Sequence, residues 1–148
     1  MKKTTQEWIK KAEGDYHSAK RELHALKHPN YDSACFHAQQ SAEKYLKAFL
    51  QEFGIRFERT HNLMALLDLV LPRVPEWELF RPDLRELTQY AIAFRYPGQS
   101  ADRPLARDAV QQCDKIREAV RLQLRLPKSI KGQRLTKKKH STRNHRER

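Results

Sequence analysis

Two histidines one helical turn apart can chelate a metal, and an arginine or lysine beside another polar side chain can grip a phosphate. The chain offers both kinds of residue, with seven histidines and thirty Lys/Arg among 148 residues. The histidines are poorly spaced for metal. His17 and His24 lie two turns apart, and His24 and His28 lie one turn apart but are followed by Pro29, which frays that turn. Neither a metal nor a cofactor is expected: Gly14, Gly54, Gly98 and Gly132 are too scattered for a phosphate-cradling loop, and no HExxH or serine elbow occurs. Cys35 and Cys113 fall at apolar-periodic positions without CxxC spacing and read as buried thiols. For phosphate the chain offers more. Gln40 and Lys44 stand one turn apart, where they either reach an anion or are satisfied between helices. Arg95 and Tyr96 precede Pro97-Gly98; they face a cleft, or Arg95 turns back on its own helix carbonyls while Tyr96 packs. The carboxylates sit mostly beside Lys or Arg and read as i,i+4 pairs on polar faces.

The net charge of +12 calls for an anionic partner, nucleic acid before an acidic protein or a membrane surface. Residues 125–148 carry ten Lys/Arg against Glu147 alone, while residues 1–124 carry twenty against seventeen acids, so the excess is mostly a tail. With Leu126, Ile130 and Leu135 as its large apolar residues, the tail buries too little to offset its ordering entropy. One domain over residues 1–126 and a disordered basic tail over 127–148 are expected, the tail being a solvated terminus or a phosphate-binding arm. No apolar run approaches the roughly 20 residues of a membrane span, and the first residues, MKKTTQEWIKKAEGDY, contain no signal-type core. A cytoplasmic location without membrane contact is expected.

These side chains must be positioned by helices, because the apolar residues recur at three- and four-residue steps and nowhere alternate over a sustained run. Thr4 and Glu7 have capping-box spacing and open a first helix over about 5–27, with Trp8, Ala12, Tyr16, Ala19, Leu23 and Leu26 on one stripe. A second helix starts at Tyr31 or Asp32 and runs to about Glu52, with Gly54 as its stop. Thr60 caps a short third helix bearing Leu63, Leu66, Leu67 and Val70. LPRVPEWELFRP is a connection that folds Trp77, Leu79 and Phe80 back onto the bundle. Pro82 begins a fourth helix with Leu84, Leu87, Tyr90, Ala91 and Phe94 inward, and Ser100 or Asp102 caps a fifth through Leu124. The fold class is all-α, an up-and-down bundle of four to five antiparallel helices.

The stretch YDSACFHAQQSAEKYLKAFLQEFGIRFERTHNLMALL resembles the signature of the HEPN family of prokaryotic helical-bundle domains. Tyr31, Phe36, Ala38, Gln39, Gln40, Ala42, Glu43, Lys44, Leu46, Lys47 and Leu50 follow its FHAQQ-AAEK helix. Thr60, His61, Leu63 and Leu66 follow its THxLxxLL segment, and Ala12-x-x-Asp15-x-x-x-Ala19 and AFRYPG (residues 93–98) also fit. The resemblance spans about residues 5–124. It implies a bundle that pairs with itself, often partnered by a small nucleotidyltransferase in a toxin–antitoxin pair. It also implies metal-independent RNA cleavage in members that carry an Arg-x(4–6)-His motif, the histidine assisting 2′-hydroxyl attack and the arginine steadying phosphoryl charge.

Three Arg/His pairs have that spacing: Arg56 with His61, Arg21 with His28, and Arg134 with His140. The start of the last long helix, where catalytic members carry the motif, reads AFRYPGQSADRPLARDAV and holds no histidine. Arg56 and His61, which flank the loop before the third helix, are the candidate catalytic pair; otherwise His61 caps or orients the third helix through a ring bond to a backbone group, or is an exposed residue of no consequence. A two-fold pair would gather Arg95, Arg103 and Arg107 around a shared phosphate cleft, with Tyr96 beside them and Lys44 as a further contact. The leading reading is an RNA- or nucleotide-binding interaction module, homodimeric and partnered by a nucleotidyltransferase. A metal-independent endoribonuclease and a non-catalytic scaffold are the alternatives.

Overall fold

The computed structural model describes residues 1–127. The expectations of a disordered arm and of an Arg134 and His140 pair lie outside those residues. Among the described residues the chain forms five α-helices and no strand: α1 (Lys3–His24), α2 (Tyr31–Glu52), α3 (Leu63–Val70), α4 (Arg81–Thr88) and α5 (Arg103–Gln123). Single 3-10 segments occupy Pro75–Phe80 and Gln89–Ala91. The all-α fold read from periodicity is the fold found. No helix of the described residues is long and apolar enough to cross a membrane.

The bundle is organised around α2, which packs against α1, α3, α4 and α5. A helix surrounded in this way must be apolar or small on nearly every face. Ala34, Ala38 and Ala42 are fully buried, and the same core holds Ala12 and Ala19 of α1 and Ala106 and Ala109 of α5. Side chains of this size allow packed helices to approach closely. Larger side chains fill the lower half: Tyr45, Leu46, Phe49 and Leu50 are at most 1% exposed, and Phe49 packs on Phe53 and Trp77 with ring centroids 4.6 and 5.2 Å away. α3 adds Leu63, Leu66, Leu67 and Val70, all buried. Each such side chain contributes roughly 1.5–3 kcal/mol of transfer free energy.

Helix ends follow side-chain chemistry, at some positions other than those the sequence suggested. Asn30 caps α2, its Oδ1 accepting the Ser33 N–H at 2.9 Å, and Gly54 ends the turn after α2 at φ +65°, where a Cβ would be strained. Of the two candidates before α5, Asp102 is the cap, accepting from Leu105 N at 2.9 Å. The Thr4 and Glu7 capping box does not form: α1 begins one residue before Thr4 with no side-chain cap, and the buried Thr5 donates to Glu52 Oε1 at 3.3 Å. The same carboxylate oxygen accepts the Lys2 backbone N–H, so the first turn is satisfied by α2 rather than by itself. α1 ends at His24, three residues short of expectation, because Ala25 turns to extended backbone and leaves Leu26 fully exposed. Asn62, not Thr60, caps α3, accepting from Met64 N and Ala65 N, while Thr60 supports it by accepting from Asn62 N. In the connection Trp77 packs inward as expected, but Leu79 is 67% exposed because the 3-10 turn rotates it outward.

Candidate functional site

Three groups of polar side chains are built into the bundle. The first lies on the seam of α1 with α2 and α5. Arg117, 3% exposed, clasps Glu13 through Nε (2.6 Å) and Nη2 (3.1 Å), and its guanidinium lies 4.3 Å from the Tyr16 ring centroid. The Tyr45 hydroxyl donates to the same Glu13 oxygen and Tyr16 donates to Asp114 at 3.0 Å. Pairing of residue 13 with 117 and of 16 with 114 makes α5 antiparallel to α1. Burial alone would raise the Glu13 carboxyl, but hydrogen bonds from Arg117 and Tyr45 and the charges of Arg117 and Arg121 outweigh it and hold it below its usual range. Two residues after Glu13, Asp15 takes His37 Nδ1 at 2.8 Å and Lys44 Nζ at 2.5 Å, which together overcome burial and keep its carboxyl low. These carboxylates are interhelical clasps, a correction to their reading as exposed i,i+4 pairs. Lys44 therefore reaches a carboxylate already, and is 22% exposed at the side chain.

The second group joins α2 to the loop before α3. Glu43, 3% exposed, takes His61 Nδ1 on one oxygen at 2.7 Å and Lys47 Nζ on the other at 3.3 Å. Lys47 is sandwiched over the Trp8 and Phe57 rings at 5.6 and 6.0 Å. The fully buried Gln39 donates to the His61 carbonyl at 3.1 Å and accepts from Gln40 at 2.7 Å, so the glutamine pair is satisfied within the bundle. His61 thus bonds a carboxylate through its ring, not a backbone group as expected. Its side chain is 65% exposed. Arg56 lies in the same loop and lines, with Phe57, Thr60 and Leu69, a groove of about 800 Å³ against α3.

The third group is a cleft of about 350 Å³ at the opposite end of α2. Phe36, Tyr90 and Phe94 form its apolar wall, the last two stacked with centroids 5.7 Å apart, and Asn30, Asp32 and Ser33 supply polar groups. Arg95 completes the lining and is itself exposed. Asp32 Oδ1 accepts Ala101 N at 2.6 Å, which fastens the approach to α5 to the cleft wall. Arg103 and Arg107 follow on the exposed face of the first turns of α5, and Tyr96, 76% exposed, projects from the neighbouring turn. The side chains of Arg95, Arg103 and Arg107 have no hydrogen bond or ion pair among the described residues. Of the candidate residues, Arg95 and Tyr96 share this end with α5's first turns, whereas Lys44 is held at the seam and Arg56 and His61 lie beyond it. Cys35 and Cys113 are free and buried, and burial, with nearby acids, pushes both thiols up to about 12.

Two residues that matter here carry only a faint signal in the sequence. Asp32 has Cys35 and Phe36, not a cation, at i+3 and i+4, which marks it as a carboxylate with business off its own helix. Glu43 is hidden by Lys47 four residues on, a bond that exists but shares the carboxylate with His61.

The class so defined is a charge-clasped helical bundle with a small aromatic cleft, lined by Asp32 and Arg95 among its polar groups, at one end. The sequence pattern of the HEPN domain matches residues 5–123. The chain belongs to the HEPN domain family. Two solved structures are similar to it. TT1696 from Thermus thermophilus is 27% identical, with a TM-score of 0.65 over 80% of this chain and 96% of that one. ST0689, an archaeal HEPN homologue, is 27% identical, with a TM-score of 0.62 over 84% of this chain and 99% of that one. No curated protein matches the chain.

Proposed function

We propose that the protein is an RNA- or nucleotide-binding interaction module that pairs with itself and with a nucleotidyltransferase, as one half of a toxin–antitoxin pair. The observation that carries the binding reading is the cleft with aromatic walls and Arg95 at its rim, followed by Arg103 and Arg107. Its volume falls in the range of small-molecule sites, aromatic walls suit a nucleobase, and guanidinium groups without counter-ions among the described residues suit phosphate. Family membership supports the self-pairing and the nucleotidyltransferase partner. Light scattering is expected to give about twice the 17.6 kDa chain mass. The Arg95→Glu/Arg103→Glu variant is expected to bind single-stranded RNA at least roughly tenfold more weakly, with a shallower salt dependence and unchanged helical circular dichroism. Wild-type affinity in that variant would remove the cleft from the reading.

One observation favours a second reading, the metal-independent endoribonuclease. Glu43 holds His61 Nδ1, so Nε2 of an exposed ring is left without a partner among the described residues, the arrangement of an oriented general base. Arg56 of the same loop would supply phosphate charge. RNA incubated with the protein in EDTA should then acquire 2′,3′-cyclic phosphate ends, and His61→Ala should abolish this. Cleavage that survives in His61→Ala excludes His61. A protein that neither binds nor cuts RNA or nucleotides would be the non-catalytic scaffold.

A further inference from the structure

We infer that the cleft between α2 and the 89–95 segment takes one unpaired nucleobase and that Asp32 and Asn30 select guanine. The inference rests on the nucleotide-binding reading and names its ligand. Each of the two polar residues has one side-chain atom committed to the backbone and one left over. Asn30 Oδ1 accepts from Ser33 N at 2.9 Å, which fixes the amide orientation and leaves Nδ2, a donor, for a ligand. Asp32 Oδ1 accepts from Ala101 N at 2.6 Å, and Oδ2, an acceptor carrying charge, has no hydrogen-bond or ion-pair partner among the described residues. Both residues line the cleft together with the stacked Tyr90 and Phe94 rings.

The size and the edge chemistry then choose the ligand. A cleft of about 350 Å³ has room for a base with its sugar, and contact with the Watson–Crick edge requires that edge to be free, so the nucleic acid that enters must present an unpaired base. Stacking on Phe94 and Phe36 is indifferent to base identity, so discrimination falls to the polar edge. Guanine alone places two N–H donors, N1–H and the N2 amine, side by side with a carbonyl acceptor, O6. A carboxylate oxygen takes the donors and an amide N–H meets O6. Uracil sets its single imino N–H between two carbonyls, which turns negative charge toward Asp32. Adenine and cytosine each offer one donor beside a ring-nitrogen lone pair. Arg95, at the rim, is placed for the phosphate of the same nucleotide.

The test is competition of a labelled single-stranded oligonucleotide by GMP, AMP, CMP and UMP on the full chain. GMP is expected to compete roughly tenfold better than the other three. Asp32→Asn keeps a carbonyl for Ala101 N but replaces the free acceptor with a donor, so the preference should shrink to about twofold or less. Asn30→Asp keeps the cap of α2 and removes the O6 donor, with the same expected loss. Arg95→Glu should weaken all four nucleotides alike. Helical circular dichroism reports that each variant is folded. Equal competition by all four nucleotides, or a guanine preference that persists in folded Asp32→Asn, overturns the guanine assignment and leaves nucleotide binding standing. Failure of every nucleotide and of the oligonucleotide to bind the wild type overturns both.

Discussion

Arg117→Ala is expected to lower the free energy of unfolding by about 3–5 kcal/mol, because it strips the counter-ion from a carboxylate held inside the helix seam. Arg117 is 3% exposed and gives Glu13 two hydrogen bonds, and its guanidinium also covers the Tyr16 ring. The truncation therefore removes a charge pair, a cation–π contact and the packing of the arginine stem together. Arg121, with Nη1 3.7 Å from Glu13, is the residue that would soften the loss. Urea unfolding should show a lower midpoint at unchanged slope. The double variant Glu13→Gln/Arg117→Met, which removes both charges and restores apolar volume, should regain much of the loss. A single variant as stable as wild type would mean that Arg121 alone balances Glu13.

Acid should open the same seam. Glu13 and Asp15 both have carboxyls held below their usual range, in each case by hydrogen bonds and cations that outweigh burial. A carboxyl with a depressed folded pKa contributes stability that is fully present above its unfolded value, about 4, and is lost as pH falls through the folded value. Stability should therefore be flat on this account near neutrality and fall below about pH 4. Each group contributes up to one proton to the slope, about 1.4 kcal/mol per pH unit. Asp15→Asn and Glu13→Gln should each flatten the acid limb of a chemical-denaturation series while lowering the neutral plateau. An acid limb of unchanged slope in both variants would place the acid-sensitive groups elsewhere.

The bundle is legible in the sequence and its clasps are not, for one physical reason. Burial of apolar residues repeats with the helix, so the stripes of α2 and α3 announce themselves: Leu63, Leu66, Leu67 and Val70 stand at helical spacing and are buried. A polar contact between helices has no period. Glu13 and Arg117 stand 104 residues apart, and nothing local distinguishes Glu13 from a solvated glutamate one turn before His17. Local signals mislead where a tertiary partner outbids them, as when Glu52 takes the turn that Thr4 and Glu7 are spaced to cap. The cleft is half legible. Arg95 and Tyr96 are marked by the turn that follows them, whereas Asp32 enters only through its bond to Ala101, 69 residues away.

The distance between α1 and its partners on α5 also sets an order of events. α1 and α2 form a hairpin across a six-residue connection and can close early, at little loop entropy. The bonds from Tyr16 to Asp114 and from Glu13 to Arg117 must wait for a loop of about a hundred residues to return. Interactions absent from the transition state slow unfolding rather than speed folding. The clasp therefore acts as a kinetic latch: in stopped-flow experiments the cost of Arg117→Ala should appear almost wholly as faster unfolding. A loss taken instead from the refolding limb would place α5 in the nucleus. With the latch on the unfolding side, the native bundle persists longer than its equilibrium stability alone requires, a form of protection against proteolysis under conditions where cleavage outpaces reclosing.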